Sequence, residues 1–509
     1  MRGLPTLCVA ALGLALTAMP SLAADGAEIT IVQPAGPQTM DACQAAVSST
    51  GRILKLNVLE SLTEIDAING GAIPRLATSW EQDEEGAWLF DLRQGVTFHD
   101  GTPLTPEAVK YSFERMLDPA LSCDAYVFVF SGITVNVEAV DEDTVRIVTD
   151  PVQPILPLMA EALPIVPLST PRNEITRTPL GTGPYAFTNW DTQTSVTLER
   201  YDGYWGDKPA VEKANFVWRE EASVRGAMVD VGEADIALSI GEQDARDTDI
   251  VFQSAEMSRI KINKDRPPFD DLRVRKALNY AIDRQGLIGT LVNANLKLAN
   301  QVVGPSVFGY NPDLGQYEYN PDEAKRLLDE ARADGVPVDT PIRMISISGS
   351  STFSNQDEVI EAIISMWKQV GLTATNEPLE MGLFRNSIRR DNFEPGRAPT
   401  LVFSNHDNTT GDAGMSVSSR YHSSNMTADL PVGEDAIKAM DALIDSGMAA
   451  VGEERREIFQ EILRQQHEEV VTEVWLFQMV NIIRISERIN YEPNARTNAV
   501  IELSDISFN

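Results

Sequence analysis

Apolar and polar positions alternate along much of this chain, and the period of the alternation changes from segment to segment. "EITIVQPAG", Glu28 to Gly36, alternates β-branched and polar residues until Pro34 and Gly36 break it, which predicts a strand running into a loop. Trp80, Trp88, Phe90, Leu92 and Phe98 recur at near two-residue spacing around the turn-like "DEEG", the mark of an antiparallel region. "HDG", His99 to Gly101, reads as a tight turn. It leads into a helix with Thr105 as N-cap and Pro106 at the first helical position, whose Val109, Phe113, Met116 and Leu117 form one apolar face.

Further on, Pro151 to Pro171 is apolar but carries six prolines, so it predicts an irregular packed crossover and not a membrane helix or central strand. "SVTLERYDGYWG", Ser195 to Gly206, predicts a strand that turns on Asp202-Gly203. After a proline-marked boundary near 265, Asp270 or Asp271 caps a helix with the stripe Val274, Ala277, Leu278, Ala281 and Ile282. Strand and helix periods thus alternate, no repeat of 20 to 50 residues is present, and the reading is a mixed α/β globule of about three domains.

Composition narrows the picture. Arg2, the apolar run Leu4 to Met19 and the small residues Ser21-Leu22-Ala23 read as a secretory signal over residues 1–23. No other run is long enough to span a bilayer. A formal charge of −33 repels nucleic acid and anionic membranes, so neither is expected as a partner. After signal removal two cysteines remain, Cys43 and Cys123; in an oxidising compartment they form one disulfide or stay as two buried thiols.

Chemistry is sparse. Four histidines, His99, His406, His422 and His467, make no zinc frame, and no nucleophile elbow or phosphate loop occurs; Gly181-Thr-Gly183 is a lone pair of glycines. No metal, cofactor or catalytic set is therefore expected. His99-Asp100 falls in a turn, where a metal-binding pair would sit on a helix with further ligands. "SISGSSTFS", Ser346 to Ser354, reads as a strand-to-helix loop. "FSNHDNTTGDAG", Phe403 to Gly414, follows the strand-like "TLVFS" and gathers Asn405, His406, Asp407, Asn408 and Asp412. It is either a ligand-binding loop facing a cleft or a solvated turn held by its own side-chain hydrogen bonds.

Six stretches, in order, resemble the family 5 extracellular solute-binding proteins, the dipeptide, oligopeptide and nickel receptors of bacterial ABC importers. They are "PRLATSWE" (from Pro74), "LRQGVTFHDGTPLTPEAVKYSFERMLDP" (from Leu92), "GTGPYAF" (from Gly181), "ERYDGYWG" (from Glu199), "PPFDDLRVRKALNYAIDR" (from Pro267) and "NPDEAKRLLDEA" (from Asn320). The resemblance implies an α/β, two-lobed fold of the periplasmic-binding type with a hinge and a small inserted domain. It divides the chain into the signal 1–23, a first lobe from 24–62, 180–264 and 475–509, an inserted domain 63–179 and a second lobe 265–474.

The same resemblance implies a monomeric, periplasmic, non-enzymatic receptor that closes on a short peptide, or a polar solute of similar size, and delivers it to an ABC permease. Nickel or its chelate, an opine and an oligosaccharide remain alternatives within the family, and a periplasmic hydrolase outside it. Peptide-binding relatives hold the ligand amine with an aspartate a few residues after a tryptophan; here Phe403 stands near the tryptophan's place, and either Asp407 or Asp412 near the aspartate's. The ligand contacts expected on this basis are Met40, Asp41, Phe403, Asn405, His406, Asp407, Asp412 and Gln478.

Overall fold

The computed structural model describes residues 27–44, 51, 53–65, 71–121, 123–130, 132–264, 266–348, 353, 355–388, 398–408, 411–425, 427–493 and 501–509. The expected signal, 1–23, lies outside the described residues. Among the described residues no helix is long and apolar enough to cross a membrane.

Two long antiparallel strands, Ile250–Ile262 and Glu473–Ile485, organise the molecule. Each has 13 residues and so extends roughly 43 Å. On one side of them the sheet continues through Ile236–Ala237, Glu28–Gln33, Lys213–Trp218, Ser195–Arg200 and Tyr185–Asp191. On the other it continues through Thr400–Asp407, Ile342–Ile347 and Ala374–Leu379.

Each end of the two strands packs into a different core. Ile260, Ile262, Val474, Leu476 and Phe477 join one apolar cluster, whereas Ile250, Phe252, Ile483 and Ile485 pack in another. Between these ends the sequence turns polar, with Gln253, Ser254 and Glu256 on one strand and Gln478 and Asn481 on the other. In that middle stretch the ladder loses register between Gln253 and Met257 and again between Met257 and Arg259. Breaks of this kind bend a strand and weaken its pairing. Among the described residues these two strands run from one core into the other, and their pairing is weakest in this partly polar stretch, which is the construction of a hinge.

A separate four-stranded antiparallel sheet, Ala77–Gln82, Trp88–Leu92, Thr144–Asp150 and Thr134–Ala139, packs with helix Pro106–Met116 around a third core. Thr105 caps this helix by accepting from the Ala108 N–H. Val109, Phe113 and Met116 are buried as the stripe requires. Leu117 is not: it is 36% exposed, because it is the C-cap and has left the helical face. Cys43 and Cys123 are disulfide-bonded, tying the first lobe's opening segment to this small domain. In the second lobe Asp271 is the residue that caps the following helix, and Val274, Ala277, Leu278, Ala281 and Ile282 are all buried.

Candidate functional site

The cleft lies where the polar middle of the two hinge strands meets the carboxyl end of the second lobe's parallel strands. Ile342–Ile347 and Thr400–Asp407 run parallel as neighbours, and open α/β sheets bind ligands outside the carboxyl ends of such strands. Strand Thr400–Asp407 continues through "FSNHD", most of which was expected to be loop. Ile342–Ile347 pairs with it only over Thr400–Val402, but Ile250–Ile262 pairs with it on the other edge through to Asp407, and a strand does not end where a partner still pairs with it. Asp412 then caps helix Ala413–Tyr421; Thr409 and Thr410 lie outside the described residues.

The structure separates the expected contacts into two groups. Met40 and Asp41 are both fully buried. The Asp41 carboxylate accepts from Arg115 Nη1 and Nη2 at 2.9 and 2.7 Å, from Cys43 N at 2.8 Å and from Thr176 N at 2.7 Å. A carboxylate with four donors inside the protein is occupied in holding the first lobe to the small domain. Phe403 is 1% exposed and stacks with Phe353 in the second lobe's core. Its alternation in a buried strand sets its place, and it also borders the cavity within the second lobe.

His406 is also inward. Its Nδ1 accepts from Arg420 Nε at 2.9 Å, which leaves Nε2 to donate to Ser416 Oγ at 2.8 Å. Burial, then the Arg420 and Arg259 charges, holds its pKa well below the usual histidine value, so it is neutral. Asp412 caps Gly414 N at 2.7 Å and pairs with the buried Arg455 through both oxygens, at 2.8 and 3.1 Å. Asn408, meanwhile, closes its turn by accepting from Gly411 N at 2.9 Å, as the self-bonded reading of this loop has it.

Asn405, Asp407 and Gln478 instead sit at the hinge. Asp407 faces Glu256 across the strand pair, and Asn405 Nδ2 donates to Glu256 Oε1 at 2.7 Å. Gln478 Nε2 donates to Ser254 O at 2.9 Å. Asn405 Oδ1, Gln253 Oε1 and Asn481 Nδ2 are buried yet have no hydrogen-bond partner among the described residues. Unmet polar atoms along the hinge strands and their neighbour are groups that a polar ligand could satisfy.

Two cavities flank helix Ala413–Tyr421. One, of about 360 Å³, opens between the second lobe and the small domain. Its wall on the second-lobe side is Met415, Ser418, Ser419 and His422, at the spacing of one helical face, and on the small-domain side Ile133, Ile155, Leu158 and Met159. The other, of about 400 Å³, lies within the second lobe and is lined by Glu256, Arg259, Lys261, Asn405 and Arg420 together with Phe384 and Val402. Sequence reasoning missed Arg259, Lys261 and Arg420. The available signal was the strand "RIKI", in which cations alternate with core isoleucines and so share a face.

The remaining histidine question resolves in the same terms. His99 Nδ1 accepts from Gly181 N at 3.4 Å and Nε2 donates to Gly183 O at 2.9 Å, clamping the Gly-Thr-Gly turn. A Cβ on Gly181 would lie 2.0 Å from Val58 O, so glycine here serves close backbone approach.

A family model, bacterial extracellular solute-binding proteins, family 5 Middle, matches residues 71–427, well over half of the chain. The chain belongs to this family. Among family 5 relatives, it is 26% identical over 357 residues to heme-binding protein A of Haemophilus influenzae, covering 64% of this chain and 65% of that protein, just under two thirds of its length. It is 28% identical over 410 residues to the dipeptide-binding protein of Escherichia coli K12, covering 73% of this chain and 75% of that one. The fold is that of NikA from Brucella suis, solved in complex with Fe(III)-EDTA, with a TM-score of 0.81, 22% identity and coverage of 95% and 100%. Family 5 proteins are two-lobed binding proteins, and the hinge and cleft described above are that architecture in this chain.

Proposed function

We propose that this protein is a periplasmic receptor of an ABC importer, exported by the 1–23 signal, that encloses a short peptide or a polar solute of that size and presents the closed form to a membrane permease. The observation that carries this reading is the polar, register-broken middle of strands Ile250–Ile262 and Glu473–Ile485, which combines a hinge with unmet hydrogen-bonding groups. Lobe closure around a hinge converts ligand binding into a shape the permease can read.

In this reading 24–62, 180–264 and 475–509 form the first lobe, 63–179 the insertion and 265–474 the second, with the two hinge strands reaching into both cores. Asn405, Asp407 and Gln478, joined by Glu256, meet the ligand; Met40, Asp41, Phe403, His406 and Asp412 hold the walls behind them. The solute leaves chemically unchanged, and the receptor acts as a monomer. A carboxylate such as Asp407 in a closing cleft suits a peptide's ammonium group, because a desolvated charge-assisted hydrogen bond is stronger than a neutral one.

Thermal unfolding against a library of di- to hexapeptides tests the proposal. A cognate peptide at 100 times its Kd stabilises the folded state by about 2.7 kcal/mol and raises Tm. Small-angle scattering checks closure by a fall in radius of gyration. If no peptide moves the melting curve, the peptide assignment is wrong.

A further inference from the structure

Two apolar side chains of the small domain are buried without belonging to its core. Ile65, at the end of strand Thr63–Ile65, is 7% exposed, and Leu158, in the short helix Leu156–Met159, is 8% exposed. Neither joins the small domain's apolar cluster, although Leu156 and Met159 close to Leu158 do. What faces them comes from the second lobe. A Cβ on Gly411 would lie 3.1 Å from Ile65 Cγ2, so the backbone of that glycine rests on the Ile65 methyl. Leu158 borders the cavity of about 360 Å³, across which stand Met415, Ser418, Ser419 and His422, with Met448 beside them.

Directional and covalent bonds fix the small domain to the first lobe. They include the Cys43–Cys123 disulfide, the Asp41–Arg115 and Lys55–Glu161 pairs, and Ser61 Oγ donating to Glu161 O at 2.8 Å. Toward the second lobe the same domain turns a mostly apolar surface, Ile65, Ile133, Ile155, Leu158 and Met159. Apolar contact is non-directional and parts without stranding a hydrogen bond, and a contact that leaves a cavity is packed below full density. We infer that the small domain is the jaw on which the second lobe shuts: Ile65 and Leu158 form a seat that is covered in the shut form seen here and uncovered when the hinge opens. The seat thereby sets the open–shut balance of the free receptor, and through it the apparent affinity for solute. This rests on the hinged-receptor reading and adds the surface that governs closure.

Thiol accessibility in the ligand-free protein tests the seat. N-ethylmaleimide labelling is followed in Ile65→Cys, in Leu158→Cys and in Leu156→Cys, a fully buried core position that stays protected whichever way the lobes move. With Cys43 and Cys123 disulfide-bonded, the added thiol is the reporter. Each substitution is then combined with Met415→Glu, which sets a carboxylate in the seat. Met415 lies in the first turn of helix Ala413–Tyr421, after the Asp412 cap, where a carboxylate suits the helix dipole, so the second lobe keeps its fold. An unpaired carboxylate is costly to bury, so Met415→Glu is expected to speed labelling of the Ile65→Cys and Leu158→Cys thiols at least about ten-fold. The Leu156→Cys thiol stays unreactive, and the radius of gyration of the Met415→Glu protein rises. If Leu158→Cys folds poorly, Ile65→Cys and scattering carry the test.

Slow labelling of both thiols with and without Met415→Glu overturns the seat, since the small domain would then bury them unaided. Rapid labelling before Met415→Glu is added overturns it too, as does labelling of Leu156→Cys alongside the others, which reports a loosened small domain. A larger radius with both thiols still protected overturns the seat and leaves the hinged receptor standing. The peptide titration of the parent protein reads the receptor separately: silence there, with thiols uncovered by Met415→Glu, defeats the peptide reading and keeps the seat.

Discussion

Asp41→Asn tests whether the opening loop of the first lobe is built for ligand or for architecture. Asp41 is fully buried and Arg115 is 2% exposed, so the pair is dry. Replacing the carboxylate leaves Arg115 Nη1 and Nη2 facing a neutral amide, and the amide cannot accept from all four donors that Asp41 now serves. Arg115 keeps its backbone acceptors, Pro171 O and Glu174 O, and the weak acceptor Cys43 Sγ. Removing one partner of a buried ion pair costs about 3–5 kcal/mol. Urea unfolding followed by tryptophan fluorescence should show a loss of that size, while calorimetry shows ligand affinity nearly unchanged. The double substitution Asp41→Leu with Arg115→Met should cost less than Asp41→Leu alone, since no charge is then stranded. A loss below about 1 kcal/mol, the value of a solvated surface pair, refutes the reasoning. So does normal stability with lost binding, which would put Asp41 in contact with the ligand.

Cys43→Ser should lower stability by on the order of 4 kcal/mol, the chain-entropy worth of a crosslink spanning 80 residues; an unchanged urea midpoint in oxidising buffer contradicts this. Asp412→Ala removes a helix cap and strands the buried Arg455, so a loss of about 3–5 kcal/mol is expected, with Asp412→Asn milder because it can still cap Gly414. Glu502 has its pKa raised from 4.5 to about 7, first by burial and then by Asp505 and Glu64. Its native form therefore keeps a proton that the unfolded chain releases above about 4.5. Its stabilising contribution is complete at lower pH and is lost as pH rises through about 7. Melting curves at pH 5 and pH 8 should differ less in Glu502→Gln than in the parent protein; an equal difference would exclude Glu502 as the source.

What local chemistry controls was legible in the sequence. Thr105 and Asp271 cap helices because the residues after them start an amphipathic period, and that period is a property of neighbours along the chain. The mixed α/β class and the family membership follow from many such local signals taken in order. Leu117 shows the limit even here, since a stripe cannot state which turn of a helix ends it.

Which polar side chain meets the cleft depended on partners far away in sequence. Asp41 is claimed by Arg115, 74 residues on, and Asp412 by Arg455, 43 residues on. Arg259 finds Glu473 across 214 residues. A buried charge must have a partner, and only the fold says whether that partner is already inside the protein. The sequence by itself determined the elements, the class and the kind of molecule this is. Tertiary structure alone decided that Asp41, His406 and Asp412 are spoken for.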